Sequence, residues 1–257
     1  VNLKNGFKEY KDLSNIFLNF KKKLGNIKND KFVVALSGGP DSLALVALTK
    51  AYNFFKKTKF YYVLIDHKIR KNSNQEAQKV KKLLKKSNIS LQIFSNKKKI
   101  SKNIQAVARN TRYEILSRYC IKKKVKIILT AHNLEDQVET FLMRLSRGSG
   151  LRGLSSMKSV NKINSKVSLY RPLLETKKKF LIKISKNIFG TYFKDPSNKN
   201  EKYFRTKVRS LKKPLETSGI RYEQIFKSIQ NLSKSKMTLD RYFSGIFKEL
   251  IKTCLLY

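Results

Sequence analysis

Four short apolar runs, at 32–36, 60–65, 91–94 and 125–129, recur along the first half of the chain, each followed by a segment of helical period. The apolar residues are consecutive in the first two runs and broken by one polar residue each, Gln92 and Lys126, in the last two; without strict alternation, both faces of the strands are expected to be buried, as in a parallel sheet. The intervening segments (42 to about 55, 74–87, 104–123 and 135–147) supply the crossover helices that parallel strands need. Ala77, Val80, Leu83 and Leu84 face inward in the second of these, Ala108, Arg112, Ile115, Leu116 and Tyr119 lie close in register in the third, and Val138, Phe141, Leu142 and Leu145 form the buried face of the fourth. An amphipathic helix over 12–24, with Leu13, Ile16, Phe17 and Phe20 on one face, precedes the first strand. The expected fold is α/β, a doubly wound parallel sheet. Such sheets bind ligands outside the carboxyl ends of their strands, at the point where strand order reverses.

The pattern weakens after Gly153. One more strand is expected at 167–170 and a helix at 177–189, with Phe180, Leu181, Ile184 and Ile188 inward; 214–257 reads as helices alone. The division expected is a larger α/β domain over 1–211 and a small helical C-terminal region over 212–257. The chain begins at Val1 rather than Met, so trimming at either end is expected.

The run at 32–36 ends in Ser37-Gly38-Gly39-Pro40-Asp41-Ser42 and then opens a helix. Glycines let the backbone approach an anion closely, and a helix start offers N–H donors to phosphate. A Walker loop places a Lys after its last glycine; Asp41 stands here instead. A carboxylate beside phosphates repels them unless a divalent cation bridges the two, so Asp41 implies Mg²⁺ held jointly with a nucleotide. The competing reading is a Gly-Pro turn with an ordinary N-cap.

Charge points the same way. Lys and Arg number 58 against 17 Asp and Glu, a formal +41, and such a surface attracts nucleic acid. Codon drift toward Lys and Asn accounts for part of the excess but not for the scarcity of acids. Twelve of the cations are Arg, whose planar fork suits phosphate and carboxylate. Arg109 and Arg112, three apart on one helix face, could clamp phosphates. The two cysteines, Cys120 and Cys254, exclude a disulfide scaffold and a cysteine-held zinc or iron–sulfur site, and fit a reducing cytoplasm. The longest apolar stretch, 43–48, is too short to span a membrane, and no signal peptide is readable.

The run at 125–129 leads into Thr130-Ala131-His132-Asn133-Leu134-Glu135-Asp136-Gln137-Val138-Glu139-Thr140, continuing to Arg144-Leu145-Ser146-Arg147-Gly148-Ser149-Gly150. Asp136 and Glu139 lie three apart near a helix start, off its apolar face, with His132 at the strand exit close to both. Acids there also complement the helix dipole, which is the plainer reading of this segment alone.

Ser-Gly-Gly-x-Asp-Ser is the signature of the PP-loop, or ATP-pyrophosphatase, family, which this chain resembles. Within it the chain is similar to the tRNA(Ile)-lysidine synthetases. Ile65-Asp66-His67-Lys68-Ile69-Arg70 resembles their Val-Asp-His-Gly-Leu-Arg, with Lys68 for Gly. The 130–150 segment resembles Ala-His-His-x-Asp-Asp-Gln-x-Glu-Thr…Arg-Gly-Ser-Gly, with Asn133 for the second His and Glu135 for the first Asp. Gln105-Ala106-x-Ala108-Arg109-x-x-Arg112-Tyr113, Arg171-Pro172-Leu173-Leu174 and Asp195-Pro196-Ser197-Asn198 with Arg205 and Arg209 extend the resemblance over about 33–210.

The resemblance implies that ATP is cut between its α- and β-phosphates and that the C2 carbonyl oxygen of the first anticodon cytidine of tRNA(Ile), anticodon CAU, becomes adenylated. The ε-amine of free L-lysine then attacks C2 and AMP leaves. Ser37, Gly38, Gly39, Pro40, Asp41 and Ser42 would hold ATP, and Asp41 the Mg²⁺. His132, Asp136 and Glu139 would orient the amine or the metal, and Arg112 and Arg205 would contact phosphate. The 1–211 domain would be the catalytic one, and 212–257 the start of a truncated tRNA-binding domain. Three alternatives remain open: a tRNA 2-thiolating relative, a small-molecule amidotransferase-type synthetase and an inactive RNA-binding module. The oligomeric state is open, a homodimer included.

Overall fold

A computed structural model of the chain describes residues 11–69, 72–96, 104–193, 196 and 203–254. Two compact units divide it, one made of 1–133 with 158–196 and the other of 134–157 with 197–257. The domain edge expected at 211/212 lies inside the second unit.

The first unit is built on a six-stranded sheet: β1 (Lys31–Leu36), β2 (Lys59–Asp66), β3 (Leu91–Ser95), β4 (Ile127–Leu129), β5 (Val160–Lys162) and β6 (Ser168–Tyr170). Their spatial order is β3-β2-β1-β4-β6-β5. Every neighbouring pair is parallel except β5 with β6, so the parallel sheet carries one antiparallel edge strand. The chain runs outward from β1 through β2 to β3 and then returns to β4 on the other side of β1. The switch point therefore lies between the carboxyl ends of β1 and β4.

The helices of this unit are α1 (Lys11–Gly25), α2 (Pro40–Tyr52), α3 (Ser73–Lys85), α4 (Ile104–Lys122) and α7 (Lys178–Phe189). The strands split their apolar runs by parity. Phe32, Val34, Leu36, Tyr62 and Leu64 enter one core with α1, α2, α3 and α7. Val33, Val63 and Ile65 enter the other with Leu116, Tyr119 and Cys120 of α4. Period-two geometry places neighbours on opposite faces, and helices cover both, so the sequence shows no alternation. β4 starts at Ile127 rather than at the expected 125. Lys124 takes a positive φ of 53°, and the Val125 N–H donates to the Cys120 carbonyl (2.8 Å), closing α4.

The second unit holds α5 (Leu134–Leu145), α6 (Leu151–Leu154), α8 (Phe204–Ser210), α9 (Lys212–Thr217) and α10 (Tyr222–Cys254). Leu134 and Val138 of α5 pack with Tyr222, Phe226 and Ile229 of α10, and Phe141 and Leu142 border them. Leu145, expected on this buried face, is 50% exposed because it is the last residue of α5, beyond the part that α10 covers. Among the described residues no helix is long and apolar enough to cross a membrane.

Candidate active site

The loop after β1 is shaped by its glycines and closed by its serines. Gly38 takes φ +80°, and a Cβ on it would meet Val80 Cγ2 at 2.5 Å. Its carbonyl accepts the Phe193 N–H at 3.1 Å. Gly39 is the extended N-cap of α2, with no side chain to cap it, and Pro40 follows where a missing N–H costs nothing. Ser42 Oγ donates to the Gly39 carbonyl (2.9 Å) and accepts the Ser37 N–H (3.3 Å), with Ser37 Oγ 3.4 Å away. The α2 N-terminus thus faces the switch point with no side-chain cap, an anion-binding arrangement. Asp41 Oδ2 lies 3.8 Å from Lys178 Nζ, at the start of α7. Sequence reasoning alone misses Lys178; only the basic run 177–179 after the Arg171-Pro172-Leu173-Leu174 motif hints at it.

At the exit of β4, Thr130 Oγ1 and His132 Nδ1 are 3.0 Å apart, which fixes the imidazole plane, and Asn133 is buried. At the exit of β2, Asp66 is buried and its Oδ1 accepts the Lys68 N–H (2.9 Å). Lys68 holds φ +51°, the left-handed conformation suited to the glycine found there in the motif. His67 Nε2 accepts a hydrogen bond from Arg112 Nε at 3.4 Å. Burial, aided by the Arg112 charge and opposed by Asp66, pushes His67 down to about 4. It is therefore neutral at pH 7, which suits an acceptor. Arg109 stacks over the Tyr113 ring (5.1 Å). Arg109 and Arg112, read from the sequence as residues that could clamp phosphates, both belong to α4.

Arg171 is buried within the sheet unit. Its Nη1 donates to the Lys158 carbonyl (2.7 Å) and to Asn161 Oδ1 (2.9 Å), tying β5 to the end of β6.

In the helical unit Asp136 and Glu139 project from the first turns of α5 into a guanidinium cluster supplied by α8. Arg205 Nη2 donates to Asp136 Oδ1 (2.7 Å) and Arg205 Nε to Glu139 Oε2 (2.8 Å). Arg209 donates from Nε to Glu139 Oε1 (2.7 Å) and from Nη2 to Oε2 (3.0 Å). The Glu139 carboxylate is only 4% exposed, and both its oxygens are engaged. Lys212 Nζ reaches Glu135 at 3.3 Å. Tyr222 nearby is raised to about 12, by burial first and then by the neighbouring acids. Gln137 is buried, holding the Met157 backbone at both N and O (2.9 Å each) and Ser156 Oγ (2.7 Å). The expected site residues therefore divide: Ser37 to Ser42, Arg112 and His132 belong to the sheet unit, and Asp136, Glu139 and Arg205 to the helical unit. Arg70, Asp195, Ser197 and Asn198 of the quoted motifs lie outside the described residues.

A family model described as the PP-loop domain matches residues 13–215. The chain is 37% identical over 231 residues to a tRNA(Ile)-lysidine synthase of Orientia tsutsugamushi, covering 87% of this chain and 51% of the relative. It is 34% identical over 228 residues to that of Wolbachia pipientis wMel (87% and 52%). With the enzyme of Zymomonas mobilis it is 36% identical over 187 residues (71% and 56%). The chain thus spans about half the length of the curated relatives it matches. Among solved structures, the U34-tRNA thiolase NcsA of Methanococcus maripaludis superposes with a TM-score of 0.71 at 21% identity, over 86% of this chain and 78% of that one, a likeness of fold. With the glycine loop at the switch point and the family model spanning sheet and loop alike, the chain belongs to the PP-loop family.

Proposed function

We propose that the chain carries the catalytic part of a tRNA(Ile)-lysidine synthetase, a ligase forming a carbon–nitrogen bond. The observation that carries this reading is a Ser-Gly-Gly-Pro-Asp-Ser loop at the switch point of a chain 37% identical to a lysidine synthase. ATP would enter with its phosphates over the N-terminus of α2. The C2 oxygen of the anticodon cytidine attacks the α-phosphorus and pyrophosphate departs. The lysine ε-amine then adds at C2, loses a proton and expels AMP. The substrates are tRNA(Ile) with anticodon CAU, free L-lysine and ATP, and the setting is the cytoplasm.

Asp41 suits a magnesium ion held jointly with the nucleotide. Among the described residues no group of three or more His, Cys, Asp or Glu side chains gathers as a metal site, so phosphate oxygens would complete the coordination. Bound there, the ion would neutralise charge on the departing pyrophosphate. The loop serines and the N–H groups at the start of α2 would hold the phosphates still. The neutral His67 would keep the Arg112 guanidinium oriented toward them. His132, with its ring plane set by Thr130, is the proposed acceptor of the amine proton. Asp136 is proposed to position Arg205, whose Nη2 donates to its Oδ1. Glu139, saturated by two arginines, would position Arg205 and Arg209 rather than exchange protons.

Cys120 weighs against sulfur transfer, since burial pushes its thiol up to about 12. Release of pyrophosphate from ATP by the purified protein tests the reading. Release that needs both lysine and the CAU-anticodon tRNA supports the proposal. Release that needs a sulfur donor, or no turnover under any of these conditions, contradicts it.

A further inference from the structure

The loop lacks the lysine that other phosphate loops carry in sequence, and the fold supplies one from elsewhere. Lys178 opens α7 and places its ammonium 3.8 Å from Asp41 Oδ2. Three contacts hold this stretch of chain against the loop. Ser185 is fully buried and its hydroxyl donates to the Pro40 carbonyl (2.5 Å). Leu181, Ile184 and Ile188 share one core with Leu43 and Ala47 of α2. Past the end of α7, the Phe193 N–H donates to the Gly38 carbonyl (3.1 Å). The position of Lys178 is thus set by the same packing that sets the loop.

The charge pattern at the start of α7 is unfavourable by itself. Lys177 is its N-cap, Lys178 and Lys179 follow, and the first turn holds no acid. Cations at the positive end of a helix are destabilising, and an anion there would reverse the sign. Asp41 is one such anion, but at 3.8 Å, with both side chains partly solvated, the pair is a weak stabiliser. A triphosphate laid over the start of α2 would bring several negative oxygens to the same place.

We infer that Lys178 is the phosphate-binding cation of the loop: it pairs with Asp41 in the nucleotide-free protein and turns to the β- and γ-phosphate oxygens when ATP binds. There it would share the charge of the pyrophosphate as the α–β bond breaks. This inference rests on the nucleotide reading above and adds a residue to it.

The test is calorimetric binding of α,β-methylene-ATP, which has no cleavable α–β bridge, to wild type, Lys178→Ala, Lys178→Met, Lys178→Arg and, as a control on the same helix, Lys186→Ala. Thermal melts check that each variant is folded. The expected result is a loss of about tenfold or more in analogue affinity for Ala and Met, partial recovery for Arg and no change for Lys186→Ala. Affinity for tRNA should stay within about twofold of wild type in all of them, since one cation among many contributes little to a polyanion contact. Two results would overturn the inference: undiminished analogue affinity in both Lys178→Ala and Lys178→Met, or an equal loss in Lys186→Ala, which would mean general basicity. Wild type that binds no analogue at all would overturn the nucleotide reading and the inference with it. Tight analogue binding by wild type without pyrophosphate release on tRNA and lysine would instead count against the lysidine reading and leave the Lys178 comparison decisive.

Discussion

At Gly38 a methyl group has no room and the wrong backbone. With φ at +80° and Val80 Cγ2 2.5 Å from the Cβ position, Gly38→Ala should cost about 2 kcal/mol or more, read as a lower urea midpoint, with nucleotide affinity falling alongside. Lys68 is the opposite case. It bears a side chain at φ +51°, so Lys68→Gly should raise Tm by about 2–4 °C. An unchanged Tm would mean that contacts of the Lys68 side chain offset its backbone strain. His67 gives a pH signature. Its folded-state value of about 4 lies below the ordinary 6.5, so below pH 6.5 the unfolded chain binds a proton that the folded chain refuses. Stability attributable to His67 is present above pH 6.5 and is lost as pH falls toward 4. Arg112 and Asp66 are the charges acting on it. His67→Gln should flatten that part of the curve of unfolding free energy against pH between 4 and 6.5.

Among the elements, the pairing of α5 with α8 holds the helical unit's buried charge. Glu139 accepts three guanidinium hydrogen bonds from Arg205 and Arg209 at 2.7–3.0 Å. Removing it takes the shared carboxylate from Arg209 and from Arg205, which keeps Asp136; breaking a fully buried charge pair costs about 3 kcal/mol or more, and partial exposure of the two guanidinium groups reduces that here. Glu139→Ala should therefore lower the unfolding midpoint far more than Glu135→Ala, whose Lys212 partner is 39% exposed. This arrangement is only half legible in the sequence. The spacing of Val138, Phe141 and Leu142 identifies the apolar face of α5, and the same logic puts Glu139 on its open side. What covers Glu139 comes from arginines 66 and 70 residues later, and no local period encodes that. β5 is invisible because Val160, Asn161 and Lys162 are all exposed and carry no apolar pattern. α8 reads only as a pair of motif arginines, since Val208 is its one buried residue. The inner strands and their helices are legible because burial on two faces leaves a continuous apolar signature. The loop is legible because a Gly-Gly turn between strand and helix has few other uses.

On the scale of the whole molecule, a chain of formal charge +41 should bind tRNA largely through phosphates. Affinity should then fall by about two to three orders of magnitude between roughly 50 and 200 mM salt, measured by filter binding. A flat response would mean that the basic surface is not the docking surface. Lys178 marks the limit of linear reading at this scale. The cation beside the loop at 37–42 is carried by α7, which begins only after every strand of the sheet has been laid down. No sequence period links positions so far apart; only the packing of α7 on α2 brings them together.

The loop is proposed to direct cleavage to the α–β bond of ATP, so that the nucleoside end is transferred. The most direct measurement is to follow α- and γ-labelled ATP with the purified protein, L-lysine and the CAU-anticodon tRNA. AMP and pyrophosphate are expected in equal amounts with lysidine formed, and both products should be lost in Asp41→Ala. ADP with orthophosphate, or undiminished turnover in Asp41→Ala, would contradict it.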